Sequence, residues 1–184
     1  MLSEHEIGFV VMPASPDVLP DMLRPGLRLV FVGTAAGRRS AEVGAYYAHR
    51  GNRFWRTLHE VGLTPRLYAP HDYPLLMDVG IGFTDVAKGA AGMDHEIAAA
   101  AFDADALAAK IKQCRPRAIA FTSKRAASYW LRRPTGKIAI GLQADTAQHG
   151  TVVFVLPSPS GAATRYWSIA PWHEMARACR NSHD

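Results

Sequence analysis

The sequence predicts a three-layer α/β/α domain with a central, mostly parallel sheet. Short apolar runs of strand length recur along the chain, segments with helical spacing separate them, and no long linker or internal repeat interrupts the alternation. The 184 residues are 48% hydrophobic and 20% charged, enough for a full core and consistent with one domain over 1–184.

Leu27–Gly33 (LRLVFVG) reads as a buried strand entering the glycine-bounded loop GTAAG. Asn52 can cap a helix to about Val61, because Phe54, Trp55, Leu58 and Val61 fall at helical spacing and Gly62 and Pro65 end it. Val79–Thr84 is a second strand. Asp103 then caps a helix whose apolar stripe is Ala104, Leu107, Ala108 and Ile111. Arg117–Phe121 is a third strand, and Ser123 opens a helix to about Arg132. Ile138–Gly141 and Val152–Leu156 are further strands, and a last helix over about Ala170–Cys179 aligns Trp172, Met175, Ala176 and Cys179. Ligands of such sheets sit beyond the carboxyl ends of the strands, so the loops after Gly33, Thr84, Phe121 and Leu156 are the place to look. Gly89–His95, the longest irregular piece, is expected to be a functional loop.

Composition narrows the function. No run approaches the roughly 18–20 apolar residues of a membrane span, and Glu4 and Glu6 stand where a secretory signal carries basic residues. Two cysteines, Cys114 and Cys179, are too few for a disulfide framework, a Cys-rich zinc site or an iron–sulfur cluster. A soluble, cytoplasmic protein without a membrane partner is expected. Lys and Arg number 21 against 16 Asp and Glu, a formal net charge of +5, which is compatible with an anionic partner.

The strand-end loops carry the candidate chemistry. After the first strand, Gly33 and Gly37 permit close backbone approach, and Arg38, Arg39 and Ser40 could meet a phosphate. Tyr46 and Tyr47 offer faces for a base, or simply pack beneath the turn. Asp85 is the sole carboxylate at the four strand ends, as a turn former or as a catalyst. Ser123 and Lys124 open a helix suited to an anion. Ser158 and Ser160 sit in a proline-stiffened loop, where they either bond nearby backbone or bind phosphate. His49, His95, His149 and His173 are assigned no chemistry.

These residues resemble the mismatch-specific uracil-DNA and thymine-DNA glycosylases of the uracil-DNA glycosylase superfamily. The frame from Gly33 to Trp55 matches without a gap: Gly33 and Gly37 of the GINPG motif, Ser40-Ala41, Gly44, Tyr47-Ala48-His49, and Asn52-Arg53-Phe54-Trp55. Gly80–Val86 (GIGFTDV) looks like the strand and loop beneath the base pocket, and Leu156–Gly161 (LPSPSG) like the second motif. The resemblance implies a uracil-DNA glycosylase-like fold and hydrolysis of the N-glycosidic bond of uracil or another deaminated or mismatched base in DNA. It implies no cofactor and no metal, and a monomer acting on DNA that contains uracil or a mismatch. The alternative is a catalytically weak relative that binds abasic or mismatched DNA.

One departure matters. The first-motif asparagine that positions the attacking water is Ala35 here, the following proline is Ala36, and Ser158 stands where several members carry asparagine. Alanine can neither orient nor polarise water. The resemblance therefore assigns catalysis to Asp85, base stacking to Tyr47, and contacts with the base to Thr34, Ala35 and Ser158. DNA contacts fall to Arg38, Arg39, Ser40, Ser123, Lys124, Ser160, Gly161, Ala162, Ala163 and Arg165. Asn52 is read as a helix cap.

Overall fold

In a computed structural model, which describes residues 17–143 and 150–180, the expected α/β architecture is present. The described strands are β1 (Leu29–Gly33), β2 (Ile81–Asp85), β3 (Ala118–Phe121), β4 (Gly141–Leu142) and β5 (Val152–Val155). They form one sheet in the order β2-β1-β3-β5-β4. The first four positions are parallel and β4 pairs antiparallel with β5. The helices are α1 (Arg38–Val43), α2 (Phe54–Glu60), α3 (Ala104–Cys114), α4 (Lys124–Leu131) and α5 (Ala170–Arg180). Glu4, Glu6 and His149 lie outside the described residues.

Side-chain alternation along β1 divides the core in two. Leu29 and Phe31 face one layer with Phe54 and Leu58 of α2 and Trp172 and Met175 of α5. Val30 and Val32 face the other, with Leu107 and Ile111 of α3 and Ala126, Ala127 and Trp130 of α4. All five residues of β1 are buried, as befits a strand with parallel neighbours and helices on both faces. Phe31 is the hub of the first layer: its ring meets Phe54 edge-on at 4.9 Å and stacks on Trp172 at 5.7 Å.

Several sequence expectations need correction. Ile138 and Ile140 suggest a strand, but Pro134 and Gly136 bend this stretch into a 3-10 turn at Thr135–Lys137, and pairing begins only at Gly141. Arg38–Val43, read as loop, is a helix whose one buried residue is Ser40. Pro70–Val79, of which only Val79 is read from the sequence as strand, is a run of 3-10 turns, and the second strand begins at Ile81.

β2 lies at a sheet edge, and the segment around Met22 covers it. Met22 and Phe83 exchange both backbone hydrogen bonds, at 2.9 and 3.1 Å. Gly82 makes this approach possible, since a Cβ there would stand 2.3 Å from the Met22 carbonyl oxygen and 2.7 Å from Leu27 Cδ1. Gly82→Ala is therefore expected to lose stability by about 1–3 kcal/mol, the scale of overpacking, measured by urea denaturation against the parent.

Candidate active site

A cavity of about 570 Å3 opens at the carboxyl ends of the strands, within the ~300–1,000 Å3 range of small-ligand pockets. Its floor is Gly33, Thr34, Ala35 and Asp85 at the ends of β1 and β2. One wall is Tyr47, His49 and Asn52, another is Gly92–His95, and the rim is Ser158–Ala163. All four candidate substrate contacts and Asp85 thus border one space. So do Arg38, Arg39, Ser40, Ser123, Ser160, Gly161, Ala162 and Ala163, whereas Lys124 and Arg165 do not line it.

Register fixes the floor. Gly33 pairs with Asp85, and beyond the strands Val86 N–H donates to Gly33 O and Ala87 N–H to Thr34 O, at 3.0 and 2.8 Å. The Asp85 carboxylate lies over Gly33: a Cβ on Gly33 would stand 2.3 Å from Asp85 Oδ1 and 3.7 Å from the Tyr47 hydroxyl. Gly33 therefore serves as a gap that admits the carboxylate rather than as a flexible turn. Asp85 is 6% exposed. Burial pushes its pKa up from 3.8 to about 6, against the pull of Lys88 and with further upward pressure from Asp21, Asp17 and Asp94.

Thr34 proves to be a brace. Its carbonyl is taken by Ala87, and its hydroxyl shares a 2.8 Å hydrogen bond with Ser123 Oγ. Ser123 Oγ also accepts from Ala126 N–H, capping α4. Ser40 is buried, its oxygen accepts from Ala48 N–H at 3.1 Å, and it borders the cavity. Ser158 and Ser160 each accept a backbone N–H, from Ser160 and Ala162. Asn52, read as a helix cap, sits one residue before the N-cap Arg53 of α2; its Oδ1 accepts from Phe54 N–H at 2.9 Å, and the residue borders the cavity.

Tyr47 adopts a left-handed backbone conformation, φ 52°. Its ring stacks on Phe54 at 3.8 Å between centroids, and its hydroxyl bonds Thr122 Oγ1 at 3.2 Å. Burial and the nearby Asp85 charge hold the phenol well above its usual range, so it stays protonated. The two rim arginines are already paired, Arg38 with Glu96 and Arg39 with Glu42. Arg53 clamps the far rim, donating to Ser160 O and Thr164 Oγ1 and packing over Trp167. Trp172 Nε1 donates to Pro157 O behind it.

The sequence did not single out Met93 and Asp94 as cavity wall, nor His49 and His95 as lining. Gly92 N–H donates to Ala36 O, which seats this loop against the first motif. The position of Gly89–His95 between two strand-end motifs was the available signal.

The model of the uracil DNA glycosylase superfamily matches residues 20–177, which contain every element just described as lining the cavity. The chain belongs to the uracil DNA glycosylase superfamily. Its fold is similar to the solution NMR structure of a candidate uracil DNA glycosylase from Methanosarcina acetivorans, with a TM-score of 0.61 and 23% identity over 90% of this chain and 98% of that one. This likeness concerns the fold. Among the described residues, no helix is long and apolar enough to cross a membrane.

The raised Asp85 pKa has a consequence for stability. The native state binds the proton more tightly than the unfolded chain, so stability falls as pH rises from about 4 through 6. Asp85→Asn removes this penalty. Above pH 6 it is expected to be more stable than the parent by on the order of 2–3 kcal/mol, from the shift of 3.8 to about 6. The difference should vanish below pH 4 in paired denaturation curves.

Proposed function

We propose that the protein is a monofunctional DNA glycosylase that hydrolyses the N-glycosidic bond of uracil in DNA and leaves an abasic site. The observation that carries this reading is a buried carboxylate, Asp85, on the floor of a strand-end cavity beside Ala35. Superfamily membership supplies the reaction class.

The chemistry follows from the charges that develop. As the C1′–N1 bond lengthens, the sugar becomes oxocarbenium-like and the pyrimidine leaves with the bonding pair. Water adds its oxygen to C1′ and gives up a proton. The Asp85 carboxylate can hold that water, take its proton and offset the sugar's positive charge. A carboxyl group titrating near 6 is mostly ionised at pH 7 and yet basic enough to accept a proton. Ala35, half-buried on the cavity floor, brings only a methyl group. Its backbone and that of Tyr47 are assigned to the edge of the base, and the Tyr47 ring, fixed on Phe54, to its face. Ser158 and Ser160 use their oxygens as acceptors locally, which leaves their O–H groups to donate to the base or to phosphate.

DNA is assigned to the same rim. Arg38 and Arg39 would exchange their exposed partners Glu96 and Glu42 for phosphates at little cost, since surface ion pairs are weak. Ser123, Lys124, Gly161, Ala162, Ala163 and Arg165 complete the proposed contact surface, with Ser40 behind it. Extruding a base requires the DNA to open, and the small Ala162 and Ala163 favour substrates whose base is weakly paired. The protein is taken to act as a monomer inside the cell, without a cofactor.

Single-turnover cleavage of a uracil-containing duplex tests this. Asp85→Asn is expected to slow it by about 10²–10³-fold, the scale of a deleted electrostatic stabiliser, while leaving affinity for an uncleavable analogue within a few-fold. Ala35→Asn in the Asp85→Asn background should restore part of the rate. Unchanged cleavage in Asp85→Asn would place the chemistry elsewhere. Binding without cleavage by the parent protein would favour the second reading, a protein that holds damaged DNA, to which Ala35 lends support.

A further inference from the structure

Behind the cavity wall is a half-buried ionic cluster that the proposed reaction does not use. Lys88, three residues beyond Asp85, has a side chain only 11% exposed. Its ammonium donates to Leu19 O and, at 3.2 Å, to the Tyr46 hydroxyl. It lies 3.0 Å from Asp21 Oδ1 and 4.0 Å from Asp17 Oδ2. The Tyr46 hydroxyl in turn donates to Pro20 O. Asp21 is shared: it also pairs with Lys110 and accepts from Thr84 Oγ1 at 2.6 Å. Two lysines therefore meet the half-buried Asp21 and the more exposed Asp17. Lys88 and Lys110 together answer these two acids, so removing Lys88 would leave a net negative charge behind the wall.

Both groups to which Lys88 donates, Leu19 and Tyr46, belong to the cavity lining that includes Asp85. One backbone and one side-chain hydrogen bond hold this arrangement in place. Val18 N–H donates to Lys88 O, and Thr84, immediately before Asp85, is bonded to Asp21.

We propose that Lys88 is a positioning residue for Asp85, supplying from behind the Leu19–Tyr46 wall the positive charge against which that carboxylate works. The inference rests on the reading of Asp85 as the acting group. The charges that bear most on Asp85 are Lys88, which favours its ionised form, and Asp21, Asp17 and Asp94, which oppose it; Arg38, Arg39, His49 and His95 line the same cavity. Tyr46 and Tyr47 remain protonated, held up by burial, and carry no charge into the balance. With Lys88 removed, Asp21 would retain Lys110, but the acids facing Asp85 would be less fully countered. The wall would then favour the protonated acid, which cannot accept a proton from water. A purely structural lysine would brace Leu19 and Tyr46 without affecting the titration of Asp85.

The experiment compares Lys88→Met, Lys88→Gln and Lys88→Arg with the parent by carboxyl 13C NMR titration of Asp85 and by single-turnover cleavage across pH. Met and Gln are expected to move the Asp85 midpoint upward by about one unit or more, the scale of an opposite charge removed at short range. The acid limb of the rate should follow it. At pH 8 the rate should recover to within a few-fold of the parent. Arg, which keeps the charge, should hold the midpoint close to the parent's. Gln keeps a donor for Leu19 and serves if Met does not fold. An Asp85 midpoint unmoved in the charge-removed variants overturns the inference, whatever the cleavage rates are. Failure of the underlying reading has a different mark: Asp85→Asn would still cleave.

Discussion

The constraint on which the site depends is the burial of one carboxylate against one glycine. Asp85 ends β2 and Gly33 ends β1, and because the strands are in parallel register the two residues are neighbours. Any side chain at Gly33 would occupy the place of the Asp85 oxygen. Burial then makes Asp85 harder to ionise, with a pKa of about 6. The fold bears this cost because the floor is locked on both sides. Val86 and Ala87 continue the pairing past the strand ends, and Thr34 and Ser123 join the first loop to the start of α4. The carboxylate is held where a change of charge has the largest effect.

Around this point the site is made mostly of backbone and small residues. Gly33, Ala35, Ala36 and Gly37 form one side, and Ser158–Ala163 the rim. Few side chains are offered to a bound base, and several of the polar ones are spoken for. Thr34 and Ser40 brace loops, and Asn52 bonds Phe54 N–H. Aromatic packing supplies the stiffness that such a site needs. Tyr47 rests on Phe54, Phe54 meets Phe31, and Phe31 stacks on Trp172, which bonds the carbonyl of Pro157 beneath the rim. A continuous chain of rings therefore connects the proposed base-stacking residue to the opposite rim through the core.

The strand-end geometry was legible in the sequence because it depends on local signals. The apolar run of β1, the cap at Asp103, the cap at Ser123 and the stripe of α5 appear where expected. Asp85 could be singled out as an acid at a strand end. Its burial could not, since that depends on Gly33, about fifty residues earlier. Lys88 was equally hidden: its partners Asp17, Leu19, Asp21 and Tyr46 arrive from a segment with no periodicity and from a loop. The α1 helix escaped notice because Gly37 offers no side-chain cap and only Ser40 is buried, so neither usual signal was present. Ile138 and Ile140 misled in the other direction, for alternation without a pairing partner does not make a strand.

The central claim is that one buried carboxylate, titrating near neutrality, controls the reaction. The most direct measurement is the pH dependence of single-turnover uracil excision, set beside the 13C titration of the Asp85 carboxyl in the same protein. The account predicts that both have their midpoint at about pH 6, with the rate falling tenfold per unit below it. A rate independent of pH between 5 and 8, or an Asp85 carboxyl titrating near the ordinary 3.8, would contradict it.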